Sequence, residues 1–273
     1  YSEVGISGSR ESLFCLTFLT PEAVLQTITK ISSLGLLCIS VGLTFLSDCV
    51  EGQVFEAPVQ VATANTRFGS YSPRVVGNGR GRAAIGIVST SGSLTVFEKV
   101  GSGAWGFSST VGQSSQTSFD IAMNPSGALI AAGCSSQFMN AKYKSSSGVW
   151  GPQIQRPTWF CDSARVAINS AGRAAIVYFK DKAGPFSDHQ VAVLPQNTDG
   201  SWPSSPIVVK TIDGYGGNSG FGEFPGITMD NSGNILVVWA YFRESIYGRS
   251  AGDKRVAYSV IPANATTSSG SSD

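Results

Sequence analysis

The side chains able to do acid–base chemistry are few, and their spacing does not define a catalytic site. The only histidine is His189, which lies beside Asp188 in a polar stretch, and no Gly-x-Ser-x-Gly sequence accompanies it. We therefore expect a solvent-exposed loop histidine and predict no catalytic residue. Paired carboxylates would suit glycosidic-bond hydrolysis, but nothing in the spacing singles out a pair among four candidate acids: Asp162, Asp213, Glu223 and Glu244.

Aromatic residues next to Arg or Asp suggest a binding surface instead. Sugar rings stack their apolar faces on exposed aromatic side chains and hydrogen-bond through their hydroxyls. This pattern occurs at Trp159 and again in the Gly-rich stretch from residue 214 to 220. Packing between sheets would explain the same aromatics. The predicted ligand-binding residues are Arg156, Trp159, Phe160, Asp162, Tyr215 and Phe221.

The cysteines and the single histidine bear on metals and on redox environment. No Cys-x-x-Cys sequence occurs among the five cysteines, so we expect no zinc or haem site and no cofactor. Cys134 ends a predicted strand and Cys161 lies in the loop that enters the next sheet, on the same face of adjacent sheets, so a disulfide between them is possible in an oxidising compartment. Two unpaired buried thiols are the alternative.

An internal repeat organises the chain after residue 50. Each copy has an apolar strand, then Asn or Asp, two turn residues, Gly, and a second apolar strand. The four copies begin at Pro73, Phe119, Ala164 and Pro225. Their turn glycines are Gly81, Gly127, Gly172 and Gly233, which are 46, 45 and 61 residues apart.

Each copy carries two further strands. A third strand is predicted at Leu94 to Val100, Asn140 to Lys144, Gln190 to Leu194 and Arg255 to Ile261. A Gly-x-Trp sequence then precedes a fourth extended stretch, at Trp105, Trp150 and Trp202. A four-stranded sheet cannot bury both of its faces alone, whereas sheets stacked around an axis can. The pattern therefore predicts an all-β fold, a β-propeller with four-stranded blades; a β-sandwich is the alternative.

The Asn-x-x-Gly turn followed by Gly-x-Trp resembles the repeats of about 45 residues found in bacterial secreted and cell-surface β-propellers. The resemblance covers residues 54–261. It implies the architecture and a cell-surface location. It does not imply an activity, because this fold carries enzymes, lectins and scaffolds.

The segment before the repeats is predicted to be an export signal. Residues 31–47 carry no charge and follow Lys30, which is the layout of a secretory signal peptide. We expect this segment to form a hydrophobic helix that precedes the β-propeller. Leu46-Ser47-Asp48-Cys49 resembles a lipoprotein cleavage box, with Cys49 as the lipidation site, although Asp48 departs from the expected small residue. An uncleaved membrane anchor is the alternative.

These observations divide the chain into four parts. Residues 1–23 are a doubtful upstream segment, because no Met precedes Met123, and residues 24–49 are the signal or anchor. Residues 50–263 form the blades, three complete and one split, with the extended stretch after Val54 completing the last. Residues 264–273 are a Ser- and Gly-rich loop at which the sequence looks truncated.

The net charge of +1 provides no field that would attract nucleic acid, and no nucleic-acid partner is expected. The main functional prediction is a secreted or envelope-bound, non-catalytic module. Its loop face would bind a glycan or a protein, and its N-terminal segment would contact the membrane. The alternatives are a propeller-fold hydrolase or lyase with part of its site in missing blades, and a structural envelope protein.

Overall fold

The structure describes the repeat region and leaves the predicted export segment outside. It is a computed structural model and describes residues 60–61, 72–112, 116–181, 189–212, 225–242, 254–265 and 269–272. The helix predicted in residues 24–49, Cys49, and most of the stretch after Val54 lie outside these residues. Within the described ranges, no helix combines the length and hydrophobicity that crossing a membrane requires.

The described residues form four antiparallel sheets of four strands, each built from consecutive strands. Sheet 1 contains β1 (Arg74–Gly77), β2 (Arg82–Val88), β3 (Leu94–Val100) and β4 (Gly106–Val111). Sheet 2 contains β5 (Ser118–Met123), β6 (Leu129–Cys134), β7 (Phe138–Lys144) and β8 (Ile154–Pro157). Sheet 3 contains β9 (Cys161–Ile168), β10 (Ala174–Asp181), β11 (His189–Pro195) and β12 (Ile207–Ile212). Sheet 4 contains β13 (Gly226–Met229), β14 (Ile235–Phe242), β15 (Lys254–Ile261) and β16 (Ser269–Ser272).

The four sheets follow one another in chain order and pack face to face. Their first strands lie side by side, β1 next to β5, β5 next to β9, and β9 next to β13. We call these the inner strands. The all-β fold and the four-stranded antiparallel sheets predicted from the repeat are confirmed, and the stacking of successive sheets is that of β-propeller blades.

Apolar side chains fill the space between successive sheets. We call the face that a sheet turns toward the next sheet its outgoing face, and the opposite one its incoming face. Ala84 and Val88 on sheet 1 pack with Ile121 on sheet 2, and Ile130 on sheet 2 packs with Ile176 on sheet 3. Sheets 3 and 4 enclose a third cluster that includes Val177, Phe179, Val237 and Trp239. Each sheet can therefore hide its apolar faces only by having neighbours.

The repeated Asn and Gly form the turn between the first two strands of each sheet, as predicted. In sheet 2, Asn124 Oδ1 accepts hydrogen bonds from the backbone N–H groups of Ser126 and Ala128, at 3.1 and 2.9 Å. Gly127 follows with a φ of +85°, a conformation that glycine adopts without steric cost. The sequence pattern is therefore a local device for reversing the chain.

The same Asn side chains also tie each sheet to the next. The Nδ2 of Asn124 donates to the carbonyl oxygen of Asn169 at 3.1 Å. The Nδ2 of Asn169 donates in turn to the carbonyl oxygen of Asp230 at 3.2 Å, and Asn78 makes the corresponding contact with Pro125 at 3.5 Å. We call this series the Asn relay. It ends at Asp230, whose carboxylate accepts from Asn234 within its own turn.

The strand predictions hold for all four third strands, which extend at most two residues beyond the predicted bounds. The last sheet differs from the prediction. Its fourth strand is Ser269–Ser272, which pairs with β15, whereas the sequence predicted a loop in residues 264–273 and a split blade. Ser and Gly have low strand propensity, so the pairing partner and not the local sequence determines this strand.

Candidate functional site

Charged residues occupy one repeat position on the inner strands. The second residue of each repeat copy is charged in three of the four copies. It is Arg74 on β1, Asp120 on β5 and Arg165 on β9, while β13 has Gly226. Asp120 lies within electrostatic range of both arginines. Since successive inner strands are neighbours, the repeat brings these three charges together, and we call them the inner charged row.

Asp120 lies between two inner strands, partly shielded from solvent. Its Oδ2 accepts a hydrogen bond from the backbone N–H of Val166 on β9 at 3.2 Å. Burial raises the pKa of the Asp120 carboxyl, and the Val166 N–H and the positive charges of Arg165 and Arg74 oppose that shift only in part. The group is therefore a carboxyl that keeps its proton to higher pH than an exposed aspartate.

Arg165 is the charge facing this carboxyl. Its Nη1 donates to the carbonyl oxygen of Ala164 at 2.8 Å. Burial lowers the pKa of the guanidinium, while the carboxylates of Asp120 and Asp162 raise it. Arginine nevertheless stays protonated in proteins, so Arg165 supplies a fixed positive charge between two carboxyl groups.

Asp162 lies on the same strand, at a distortion of the backbone. In the pairing of β9 with β10, Val177 lies opposite Arg165 and Phe179 lies opposite Asp162. The two residues between Asp162 and Arg165 therefore face a single residue of β10, which is a β-bulge at Ser163 and Ala164. Ser163 has a φ of +57°, a left-handed conformation that a residue with a side chain rarely adopts. The Oδ1 of Asp162 accepts the N–H of Ser163 at 2.6 Å. Bulges of this kind re-aim side chains near active sites.

The bulge is anchored by a disulfide between neighbouring sheets. Cys134 at the end of β6 is joined to Cys161 at the start of β9, with their Cα atoms 5.1 Å apart, which is one of the two alternatives that the sequence left open. The hydroxyl of Thr117 lies 3.2 Å from the carbonyl oxygen of Cys134 and 3.4 Å from that of Cys161. Asp162 therefore directly follows Cys161, the residue that the disulfide links to the adjacent sheet.

The predicted ligand-binding residues fall into two groups in the structure. Trp159 is 67% exposed and stands two residues before Cys161, while Phe160 and Asp162 are partly buried beside it. The guanidinium of Arg156 donates to the carbonyl oxygens of Gln155 and Pro203. It thereby ties sheet 2 to the turn region of sheet 3. The remaining two, Tyr215 and Phe221, lie outside the described residues.

The histidine differs from the prediction. His189 is the first residue of β11, with a side chain only 17% exposed, and its Nδ1 lies 2.6 Å from the Oδ1 of Asp181 on β10. The sequence missed this pair, because eight residues separate the partners and only the hairpin brings them together. Within the part of the chain that the structure describes, no group of three or more His, Cys, Asp or Glu residues is placed to hold a metal ion.

The raised pKa of Asp120 predicts a pH-dependent term in stability. The folded chain holds this proton at pH values where the unfolded chain, with an aspartate pKa of about 3.9, has released it. The stabilisation that comes from this retained proton is complete below the unfolded-state pKa of aspartate, and it is lost as the pH rises through the pKa of Asp120 in the folded chain. We expect Asp120→Asn to gain stability relative to wild type between acid and neutral pH in urea unfolding. A difference independent of pH would contradict the assignment.

No protein-family model matches the chain, and no curated protein is similar to it in sequence. Three solved structures with similar folds are enzymes. A thermostable family-43 glycoside hydrolase matches with a TM-score of 0.40 and 13% identity, over 72% of both chains. An exo-1,5-alpha-L-arabinanase from a bovine ruminal metagenomic library has a TM-score of 0.34 and 11% identity, over 68% of this chain and 73% of its own. The alpha-L-arabinofuranosidase PaAbf62A from Podospora anserina has a TM-score of 0.33 and 11% identity, over 74% and 95%.

These comparisons are consistent with the predicted β-propeller and contradict the main functional prediction. We predicted a non-catalytic module that binds a glycan or a protein, whereas the three solved structures described above are a glycoside hydrolase, an arabinanase and an arabinofuranosidase. The non-catalytic prediction is wrong.

Proposed function

We propose that this chain is a propeller-fold hydrolase of glycosidic bonds, with its acid–base groups on the inner strands. The observation that carries the proposal is a pair of carboxyl groups in contrasting environments around one arginine. Asp120 is desolvated with a raised pKa, and Asp162 accepts a short hydrogen bond from a strained backbone N–H. Two carboxyl groups whose environments differ in this way can divide the roles of acid and base.

The roles follow from the two environments. Burial holds the pKa of Asp120 above its usual value, so this carboxyl is the proposed general acid that protonates the leaving oxygen. Asp162, whose Oδ1 accepts the Ser163 N–H, is the proposed base or nucleophile. Arg165 lies in the field of both and would stabilise the negative charge that Asp120 acquires after it gives up its proton.

Trp159 supplies the part of the site that would bind sugar. Its indole is largely exposed, and it precedes Asp162 by three residues in the same connection between sheets 2 and 3. A flat exposed ring in the same connection as a carboxylate suits a pyranose or furanose, which stacks its C–H face and hydrogen-bonds its hydroxyls. The proposed substrate therefore enters from the face that carries this connection.

We also propose that the chain acts outside the cytoplasm. The Cys134–Cys161 disulfide supports this, since such bonds persist in oxidising compartments. The hydrophobic segment at residues 31–47 would deliver the chain there. A secreted or envelope location fits a polymeric glycan substrate, which cells do not take up intact.

The test is hydrolysis of a panel of aryl glycosides and plant and bacterial polysaccharides, read as released aglycone or reducing sugar. Asp120→Asn and Asp162→Asn are each expected to lower kcat/KM by at least about a hundredfold, the scale of general acid–base catalysis. Asp199→Asn is the control, because that carboxylate is fully exposed in the turn after β11 and should leave activity unchanged. Wild-type protein that releases nothing from the whole panel, or Asn variants as active as wild type, would refute the proposal.

A further inference from the structure

The outgoing face of sheet 4 is apolar and exposed. Val256 and Tyr258 on β15 are 71% and 51% exposed, and Val260 and Leu236 are also exposed. The residues form cross-strand rows, since Leu236 pairs with Val260 and Val238 pairs with Tyr258. Contiguous apolar surface of this kind marks an interaction site.

The repeat shows what this face is built to contact. Counted from the turn glycine, Leu236 and Val238 on sheet 4 correspond to Ala175 and Val177 on sheet 3. Ala175 and Val177 are fully buried in the cluster between sheets 3 and 4. The exposed positions of sheet 4 are thus those that another sheet covers elsewhere in the repeat.

Sheet 1 also has an exposed apolar row, which lies on its incoming face. Val75, Ile85, Phe97 and Phe107 lie directly opposite one another across all four strands. The two outer members of this row, Val75 and Phe107, are 65% and 67% exposed. The equivalents of Val75 and Ile85 in sheet 2 are Ile121 and Ala131, which are buried against sheet 1.

We propose that sheet 4 of one copy of this chain packs on sheet 1 of a second copy. In the three interfaces within the described residues, an outgoing face always meets an incoming face, and the two open faces are one of each kind. The contact would continue an established interface, with a second copy as its occupant. Such a contact is head-to-tail, so it either closes into a ring or extends into a longer assembly. The inference does not depend on the proposed catalytic activity.

The experiment measures the mass of the full chain in solution by analytical ultracentrifugation over a range of concentrations. Wild type is expected to form dimers or larger head-to-tail assemblies. Val256→Asp, which places a charge on the outgoing face, and Phe107→Asp, which does so on the incoming face, should each give monomers. Both side chains are exposed, and far-UV circular dichroism and thermal melting verify that each variant folds.

Mixing the two variants distinguishes head-to-tail contact from other associations. Each variant keeps one intact face, so an equimolar mixture should form a one-to-one dimer through the surviving pair of faces. Val149→Asp is the matched control, since Val149 is 66% exposed in the turn after β7, away from both faces, and its mass should equal that of wild type. A monomeric wild type would overturn the proposal. So would association that persists in both Asp variants, which would place it in another segment such as residues 31–47.

Discussion

Replacing Trp239 with alanine is expected to lower the free energy of unfolding by about 3–5 kcal/mol, the usual cost of removing a buried aromatic ring. Trp239 on β14 is 1% exposed and is among the largest side chains in the cluster between sheets 3 and 4. Its cross-strand partner is Ala257, which is too small to fill the space left behind. The cavity would therefore persist and weaken the contact between the two sheets.

Trp239→Phe is the matched control for this effect. The indole Nε1 is buried and has no hydrogen-bond partner among the described residues, so losing it removes no hydrogen bond and relieves an unpaired donor. Phenylalanine also fills most of the ring volume, and we expect it to cost about 1–2 kcal/mol. Urea unfolding followed by circular dichroism measures both variants. Equal losses for alanine and phenylalanine would show that the effect does not come from packing.

Removing the disulfide is expected to cost about 3–4 kcal/mol of stability, from the loop entropy that a cross-link of this span takes away from the unfolded chain. The bond joins Cys134 to Cys161 across 27 residues, and both side chains are fully buried. The Cys134→Ala, Cys161→Ala double variant should therefore unfold at a lower urea concentration. It should also lose activity more than its stability at the assay temperature explains, because Cys161 precedes Asp162.

The comparison is the wild-type protein unfolded and refolded with and without reductant. The oxidised and reduced forms have the same sequence and differ only in the Cys134–Cys161 disulfide. The reduced protein should match the double variant in its unfolding midpoint. Hydrogen exchange adds a local measurement, in which the amides of residues 161–165 should exchange faster once the link is absent. Identical midpoints for the oxidised and reduced protein would contradict the prediction.

The turns and strands could be predicted because their causes are local. Asn124 and Gly127 determine their turn through a side-chain hydrogen bond and a positive φ, and both features can be recognised within four residues of sequence. The third strands were placed within two residues for the same reason, since their apolar runs end at turn residues. The repeat put Cys134 and Cys161 on one face of neighbouring sheets, but it left open whether they form a disulfide or two free thiols.

The candidate site was found only in part, because it depends on contacts between repeats. Asp162 was recognised as an acid in a loop region, but Asp120 was not, since its importance comes from Arg165 on the next inner strand. Aligning the copies and asking which inner-strand position carries charge would have exposed it. The bulge at Ser163 and the His189–Asp181 pair have no local signal, and only the coordinates show them.

The Asn relay has a consequence for how such a protein can grow. The two middle units each carry both a donor side chain and a receiving carbonyl, so a tandem duplication of either would fit between its neighbours without redesign of either contact. The relay by itself therefore sets no number of units. Asp230 receives the contact through its carbonyl oxygen, but it lacks the amide donor that Asn has at this position, and its carboxylate accepts from Asn234 within its own turn.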